Sequence, residues 1–449
     1  MHVTGPKSGQ VTAYLLERAW VGGRVQDDVL VEVEGGRFTR VEPDAGGAPG
    51  VERVPGLTLP GLANNHSHAF HRALRGRTQR GGGTFWTWRE QMYDLAQRLE
   101  PDDYLQLATA LYREMAAVGI TTVGEFHYLH HAPGGRAYAE PNETGLVLVE
   151  AARRAGVRIT LLDTCYLSSG FGAPVEGAQL RYSDGDAERW AQRVEALDAA
   201  VAGADHVVVG AAVHSVRAVP RDQLATVVEA ARGRPLHVHL SEQRAENDAC
   251  RAAYGASPTQ VLADAGVLGP LTSAVHATHL DDADVLALGA SRTHACFCPT
   301  TERDLGDGVG PSRALHEAGS ALTLGSDSHA VVDLLEEMRA VELDERLVAE
   351  SRGHWAAAEL LEAGLRHDAL GFADAGRIAV GARADLVTLD TSSPRTAGTG
   401  ADEHTAVFAA TGADVTRVVA DGRLVHTRDR APDVGRDLAA AIDRLWKDA

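Results

Sequence analysis

The stretch Leu59-Pro-Gly-Leu-Ala-Asn-Asn-His-Ser-His68 joins an apolar run to two histidines that stand two residues apart. Residues at i and i+2 of a β-strand point to the same side, so His66 and His68 can bind one metal ion together. Neutral imidazole is a common ligand of zinc and related ions. The stretch therefore predicts a strand that delivers a pair of metal ligands at its carboxyl end.

The composition is that of an ordinary soluble globular protein. The chain has 449 residues, of which 44% are hydrophobic and 23% charged, and this length fits two or three domains, or one barrel-sized domain with a smaller companion. No apolar run reaches the ~18 residues of a membrane span, and no secretory signal is visible at the N-terminus. Four cysteines in so long a chain do not form a disulfide framework. We expect a cytoplasmic protein.

The charge balance limits the classes of partner. A formal net charge of −19 argues against a nucleic-acid-binding surface or an anionic membrane surface. An anionic small-molecule substrate would need a locally basic pocket. The only lysines are Lys7 and Lys447, which excludes any chemistry that needs a lysine in the middle of the chain.

The two ends of the chain are rich in predicted strands. Residues 29–41 form two alternating runs around Gly35-Gly36, which predicts a β-hairpin. Similar patterns return at residues 381–390 and 415–426. We therefore predict a small β-sandwich-like domain built from both termini, residues 1–60 and 371–449.

The middle of the chain alternates predicted strands with segments of helical composition and apolar spacing. The predicted strands are 57–68, 119–128, 157–166, 205–216, 234–242, 273–280, 292–300 and 320–328. Eight strand–helix units over about 300 residues predict an α/β fold, a (β/α)8 TIM-type barrel at residues 61–370. A doubly wound sheet is the alternative, but it does not account for eight units.

Six of the eight predicted strands end in side chains that can bind metal or transfer protons. They are His66 and His68, Glu125 with His127 and Tyr128, His214, His237 with His239 and Glu242, His276 with His279, and Asp327. Catalytic residues of barrel enzymes lie at these carboxyl ends. Buried histidines often have no role beyond hydrogen bonding. That could account for any one of these strand-end histidines, but not for the presence of so many of them at one rim.

This ordering resembles the amidohydrolase superfamily over nearly the whole chain. The resemblance implies the metal ligands His66, His68, His239 and Asp327, and three imidazoles with one carboxylate suit a divalent ion. We expect zinc, with iron as the alternative. Many relatives bridge two metals with a carboxylated lysine. Because no lysine stands between Lys7 and Lys447, we expect one metal ion.

The resemblance also implies roles in a hydrolytic deamination. Glu242, in His239-Leu-Ser-Glu, would carry protons to the substrate nitrogen. His279 would orient or help to activate the attacking water, and Asp327 would bind metal and accept the water proton. A divalent cation lowers the pKa of bound water from about 15.7 to near 7, and an acid is then needed to protonate the departing amine.

Further strings extend the resemblance to the deiminase branch of the superfamily. They are His66-Ser-His-Ala-Phe-His-Arg-Ala, Phe85-Trp-Thr-Trp-Arg-Glu, Glu125-Phe-His-Tyr-Leu-His-His, Val213-His-Ser-Val-Arg, Cys298-Pro-Thr-Thr-Glu-Arg-Asp-Leu-Gly-Asp-Gly and Gly325-Ser-Asp-Ser-His. The resemblance implies deimination of N-formimino-L-glutamate to N-formyl-L-glutamate and ammonia, a step of histidine degradation. The implied substrate-binding residues are His71, Arg89, Tyr128, His214 and Arg217. His71 stands where the branch commonly has glutamine.

The arginines suit that substrate on chemical grounds, because an arginine fork matches a carboxylate and the substrate carries two. One alternative is an aminohydrolase of the same branch that acts on a purine, pyrimidine or triazine ring. Another is a non-catalytic relative that uses the barrel as a binding module, for which the full set of ligands and acid–base residues would be unnecessary. A homodimer is among the assemblies expected.

Overall fold

The computed structural model describes residues 11–46, 50–80 and 85–447, without the side chains of residues 85 and 86. The strands of these segments are β1 (Thr12–Val21), β2 (Arg24–Glu34), β3 (Arg37–Glu42), β4 (Glu52–Pro60), β5 (Leu62–Ser67), β6 (Ile120–His127), β7 (Arg158–Cys165), β8 (Val207–Val213), β9 (Leu236–Leu240), β10 (Thr272–His276), β11 (His294–Phe297), β12 (Leu322–Leu324), β13 (Leu386–Leu389), β14 (Val415–Ala420) and β15 (Arg423–Thr427).

The helices alternate with the middle strands. They are α1 (Phe85–Arg98), α2 (Pro101–Ala117), α3 (Glu143–Ala155), α4 (Ala187–Ala200), α5 (Leu224–Ala230), α6 (Arg244–Tyr254), α7 (Pro258–Asp264), α8 (Asp282–Ser291), α9 (Pro299–Leu305), α10 (Ser312–Ala318), α11 (Leu334–Ala349), α12 (Ala357–Ala363), α13 (Glu403–Phe408) and α14 (Ala431–Trp446). Within the described segments, none of these helices has the length and apolar character that crossing a membrane requires.

The predicted barrel is confirmed. Strands β5 to β12 form one sheet in sequence order, and every neighbouring pair is parallel. A bridge between Ser67 and Asp327 joins β5 to the end of β12 and nearly closes the sheet. Leu, Val, Ile and Ala side chains from the strands and helices fill the core. The carboxyl ends of all eight strands therefore face one rim.

The predicted strand at residues 57–68 is two strands in two different sheets. β4 belongs to the terminal sheet and β5 to the barrel, and the chain passes from one to the other at Gly61. A Cβ atom at position 61 would lie 2.2 Å from Thr121 Oγ1 and 2.8 Å from the Cβ of Asp385. Only glycine fits between these neighbours, so the break in the apolar run has a steric cause.

A β-sandwich-like unit was predicted from both termini. The strands of the two ends form one continuous mixed sheet in the order β15-β14-β13-β4-β1-β2-β3. The predicted hairpin is present, with Glu34 opposite Arg37. Gly35 and Gly36 have φ values of 58° and 81°, the left-handed conformation that a two-residue hairpin turn requires at both positions. The domain boundaries at residues 60 and 371 remain a prediction.

Arg158, at the start of β7, links the barrel to the terminal sheet. Its side chain is 1% exposed and forms ion pairs with Asp385, which precedes β13, and with Asp421, which follows β14. The Arg158 Nη1–Asp421 Oδ1 distance is 2.9 Å. Thr122 Oγ1 accepts a further hydrogen bond from Nε at 3.1 Å.

Arg158→Ala should therefore lower the free energy of unfolding by about 3 kcal/mol, because it leaves buried carboxylates without their cation. Denaturant unfolding of the metal-loaded protein measures this. Arg153→Ala is the control, since Arg153 pairs with Glu150 on the surface and is 61% exposed. It should change stability by no more than about 0.5 kcal/mol. Equal effects of the two variants would contradict the assignment of Arg158 as the link.

Candidate metal centre and active site

The first and last barrel strands meet at the predicted metal ligands. The backbone N–H groups of Ser326 and Asp327 donate to the carbonyl oxygen of His66 at 3.1 and 3.0 Å, and the N–H of His68 donates to the carbonyl oxygen of Asp327 at 3.2 Å. Asp327 has a φ of 40°, which is an uncommon conformation for a residue with a side chain. This seam fixes His66, His68 and Asp327 relative to one another.

Four donor atoms converge above the seam. His239 Nε2 lies 3.1 Å from His66 Nε2 and 3.3 Å from His68 Nε2. Asp327 Oδ1 lies 3.3 Å from Nε2 of both His66 and His68. Ligand atoms on a tetrahedral zinc ion with bonds of about 2.0–2.1 Å are about 3.3 Å apart. Four of the six pairs among the predicted ligand atoms thus stand close to the spacing that a single ion requires, and His276 belongs to the same cluster, since ligand atoms of His66, His239, His276 and Asp327 all lie within 4.8 Å of one another.

The protonation of these groups also suits metal binding. Burial lowers the pKa of His66 to about 4 and holds the pKa of His239 well below its usual value, so both imidazoles are neutral at pH 7. His68 Nδ1 lies 2.9 Å from the carbonyl oxygen of Phe126, which can accept a hydrogen bond from Nδ1–H and so leave the Nε2 lone pair for metal. Burial opposes ionisation of Asp327, but hydrogen bonds with His66 and His68 outweigh it and hold the Asp327 pKa well below its usual range.

Glu125 forms hydrogen bonds with the two residues that flank His68. Its carboxylate accepts hydrogen bonds from Ser67 Oγ at 2.7 Å and from the N–H of Ala69 at 2.6 Å. The side chain is fully buried, and this burial raises the Glu125 pKa to about 7 against the effect of those hydrogen bonds. Glu125 thus binds the residues on both sides of His68, Ser67 through its hydroxyl and Ala69 through its backbone, and is not among the described residues that line the pocket.

Among the described residues that line the pocket is His276 but not His279, so the role predicted for His279 remains a prediction. His276 is the last residue of β10, is 1% exposed and lines the pocket. Its Nε2 lies 3.9 Å from Glu242 Oε1 and 3.9 Å from Asp327 Oδ2. His279 follows on the outgoing loop, beside Gly308. The backbone of His276 has a φ of 68°, so the chain changes direction at the last residue of β10. His276 and His279 therefore lie in different places.

Glu242 lies at the opening of the same cluster. Its side chain is 17% exposed and lines the pocket. Burial and the neighbouring Asp327 raise its pKa, although His276 and Arg217 act in the opposite direction. A carboxyl group that holds a proton more strongly than usual, beside a metal site, can act as a general acid.

All five predicted substrate-binding residues line one pocket with these groups. They are His71, Arg89, Tyr128, His214 and Arg217. His71 Nε2 and the Tyr128 hydroxyl are 3.0 Å apart, while His71 Nδ1 is buried without a hydrogen-bond partner in the described residues. Arg89 Nε donates to the Tyr93 hydroxyl at 2.7 Å, and the guanidinium lies over the Tyr93 ring.

Arg217 is a cation of this pocket for which the described residues provide no counter-ion. Its guanidinium is partly buried and lines the pocket. Throughout the described segments, no carboxylate forms an ion pair with it and no group forms a hydrogen bond with it, although Glu246 and Glu242 are near enough to raise its pKa against the effect of burial. A guanidinium in this position is suited to an anionic ligand.

The tyrosine side chains of the pocket wall, apart from Tyr128, were not predicted. Trp88, Tyr93, Tyr166 and Tyr182 line it together with Met92 and Leu305. Trp88 belongs to the quoted motif around Arg89, which was a usable signal. Tyr166 and Tyr182 reach the pocket from the loop after β7 and from a one-turn helix (Gly177–Arg181) that precedes Tyr182, and nothing in the local sequence indicates this.

Comparisons with known proteins agree with this architecture. The profile of the Amidohydrolase family matches residues 57–425. A formimidoylglutamate deiminase of Pseudomonas aeruginosa is 37% identical over 97% of this chain and 99% of its own length. A 5-methylthioadenosine/S-adenosylhomocysteine deaminase of Halobacterium salinarum is 29% identical over 90% of this chain and 89% of its own. The crystal structure of an amidohydrolase from Brucella melitensis has a TM-score of 0.89 and 31% identity, covering 97% of this chain and all of that one.

Proposed function

This chain belongs to the amidohydrolase family and is one of its hydrolytic deaminases, and we propose that it acts on N-formimino-L-glutamate. The proposed reaction adds water to the formimino carbon and releases N-formyl-L-glutamate and ammonia, as a step of histidine degradation. The pocket observation that carries the choice of substrate is Arg217, a guanidinium without a protein counter-ion in the described residues. The similarity to a formimidoylglutamate deiminase supports it independently.

We propose that one divalent ion, zinc, is held by His66, His68, His239 and Asp327. The spacing of their donor atoms and the neutral state of His66 and His239 fit such an ion. When bound, the ion lowers the pKa of water and supplies a nucleophile at neutral pH. The absence of lysine between Lys7 and Lys447 supports one ion per chain.

The two oxygens of Asp327 have different surroundings, and we assign them different tasks. Oδ1 faces His66 and His68 within the ligand set, while Oδ2 faces His276 at 3.9 Å. Oδ2 is therefore the oxygen that can accept a proton from the attacking water. His276, between Asp327 and Glu242, takes the role of orienting that water. Glu242 delivers a proton to the nitrogen that leaves as ammonia.

The substrate carboxylates are assigned to Arg217 and Arg89, which lie in the same pocket as Glu242. A guanidinium binds a carboxylate through two parallel hydrogen bonds. Tyr128, His214 and His71 complete the polar wall beside the metal ligands. His71, already in contact with the Tyr128 hydroxyl, is proposed to orient that hydroxyl toward the substrate.

Arg217→Lys should lower kcat/KM for N-formimino-L-glutamate about ten- to a hundred-fold, the equivalent of about 1.5–3 kcal/mol for one charged hydrogen-bonded contact. An ammonium cannot reproduce the paired hydrogen bonds of the guanidinium. Arg89→Lys should have a loss in the same range. Arg221→Lys is the matched control, because Arg221 pairs with Asp264 on the surface, and it should behave as the wild type.

Two analogues make this test specific. N-Formimino-4-aminobutyrate lacks the α-carboxylate, and N-formimino-L-2-aminobutyrate lacks the side-chain carboxylate. One of the two analogues lacks the carboxylate that the substituted arginine binds in the wild type. For that analogue and the full substrate, the variant should show similar kcat/KM values. If both variants kept the wild-type kcat/KM and the full preference for the dicarboxylate, the substrate assignment would lose its physical basis.

The second candidate is deamination of a heterocyclic substrate. It is favoured by the tyrosine and tryptophan side chains of the pocket wall, which can stack on a ring, and by the similarity to a 5-methylthioadenosine/S-adenosylhomocysteine deaminase. A purine would leave Arg217 without an anionic partner, so we place this function second.

A further inference from the structure

His276 makes a second carboxylate contact on the side of its ring that faces away from the pocket. Its Nδ1 lies 3.3 Å from Oε1 of Glu302, a residue of α9 that is 5% exposed. The same oxygen accepts a hydrogen bond from the N–H of Cys298 at 2.9 Å. Glu302 is not among the described residues that line the pocket, and its contact with the pocket runs through His276.

This contact determines which nitrogen of the His276 ring carries a proton. A carboxylate oxygen can only accept a hydrogen bond, so the Nδ1 atom that faces it must carry a proton. The other ring nitrogen, Nε2, faces Glu242 and Asp327. In the other tautomer Nδ1 would be bare, and two lone pairs would face each other across 3.3 Å.

We propose that Glu302 is a positioning residue that holds His276 with its proton on Nδ1, and so directs Nε2 to the reacting groups. The inference rests on the proposed hydrolytic role of this site but not on the identity of the substrate. Hydrogen-bond partners behind an active imidazole fix its tautomer and orientation, and their loss commonly costs 10- to 100-fold in activity.

The competing explanation is that Glu302 only stabilises the start of α9. Glu337, on α11, provides the comparison, because it performs that task without touching His276. Its carboxylate accepts hydrogen bonds from the N–H of Thr300 at 2.9 Å and from Thr300 Oγ1 at 2.5 Å, and the residue is fully buried. Both glutamates thus bind backbone at the same end of the same helix, and only one of them contacts the histidine.

The test compares Glu302→Gln, Glu302→Met and the control Glu337→Met in the metal-loaded enzyme. Gln keeps an oxygen that can accept from both Nδ1 and Cys298, whereas Met has a similar length and no such acceptor. We expect Glu302→Met to lower kcat about 10- to 100-fold, with KM unchanged because Glu302 lies outside the pocket. Glu302→Gln should retain most of kcat, and Glu337→Met should lower the melting temperature with kcat close to the wild-type value.

A measurement without turnover completes the test. In ¹⁵N-histidine-labelled, metal-loaded enzyme, NMR should show His276 protonated at Nδ1, with His276→Asn used for the assignment. That signal should persist in Glu302→Gln and be lost in Glu302→Met. A bare Nδ1 in the wild type would overturn the proposal, and so would equal kcat values for the Gln and Met variants or an equal loss in Glu337→Met.

The kinetic arm uses N-formimino-L-glutamate first and, if the wild type does not hydrolyse it, the heterocycle that it does hydrolyse. Failure of the proposed substrate is therefore separate from failure of the Glu302 proposal. Because the NMR measurement needs only the folded, metal-loaded protein, it decides the tautomer even if no substrate is turned over.

Discussion

His239→Ala is expected to remove bound metal and activity together. Nε2 of His239 lies 3.1 and 3.3 Å from those of His66 and His68, so the substitution deletes one of four converging donors. Loss of one imidazole donor should weaken the site so far that zinc is not held through purification. Elemental analysis should give less than one tenth of an ion per chain, on the order expected when a ligand is lost, and ammonia release should fall to background.

The control for this prediction is His294→Ala. His294 begins β11 at the opposite end of the barrel from the rim, and it is a partly buried histidine that does not line the pocket. This variant should retain one metal per chain and its activity. A His239→Ala protein that binds a full equivalent of metal and turns substrate over at the wild-type rate would show that the metal is held elsewhere.

Glu242→Gln is expected to retain the metal and lose activity. Glutamine has nearly the same shape but cannot donate and accept the proton that the leaving nitrogen requires. Loss of a general acid typically costs about 10²- to 10⁴-fold in kcat, or about 3–5.5 kcal/mol of transition-state stabilisation. Single-turnover kinetics together with elemental analysis measure both properties on one sample.

The contrast between Glu242→Gln and His239→Ala separates proton transfer from metal binding. Glu242 faces His276 at 3.9 Å and forms none of the close contacts that join the four ligand atoms. If Glu242→Gln lost its metal, the carboxylate would belong to the ligand set. If it kept its metal and the wild-type kcat, another group would be the acid.

The fold could be predicted from the sequence because each barrel strand has its own apolar run and six of the eight predicted strands end in polar side chains. The error concerned a single run, at residues 57–68, where the apolar pattern continues through a change of sheet. Only Gly61 marks that change, and its meaning depends on Thr121 and Asp385, which approach it from distant parts of the chain. A one-residue break of this kind has no signature in local periodicity.

The cluster of His66, His68, His239 and Asp327 could be predicted because these residues follow the strand ends and match a family pattern. The choice between His276 and His279 could not be made in that way, since both follow the same strand. The decision depends on a left-handed backbone at His276, a conformation that histidine adopts rarely and that sequence does not announce. Glu302 was inside a quoted motif, but its partner lies 26 residues away, so its contact with His276 emerges only in three dimensions.

Ammonia release tests the central claim most directly. The wild-type enzyme should be assayed metal-free after chelation and again after addition of one equivalent of zinc, with N-formimino-L-glutamate beside purine, pyrimidine and triazine substrates. We predict that the zinc-loaded enzyme releases one ammonia and one N-formyl-L-glutamate per N-formimino-L-glutamate consumed, with kcat/KM at least about 10²-fold above that for any heterocycle, as expected when paired carboxylate contacts are lost. The metal-free enzyme should be inactive. Faster deamination of a heterocycle, or equal activity with and without metal, would contradict the account.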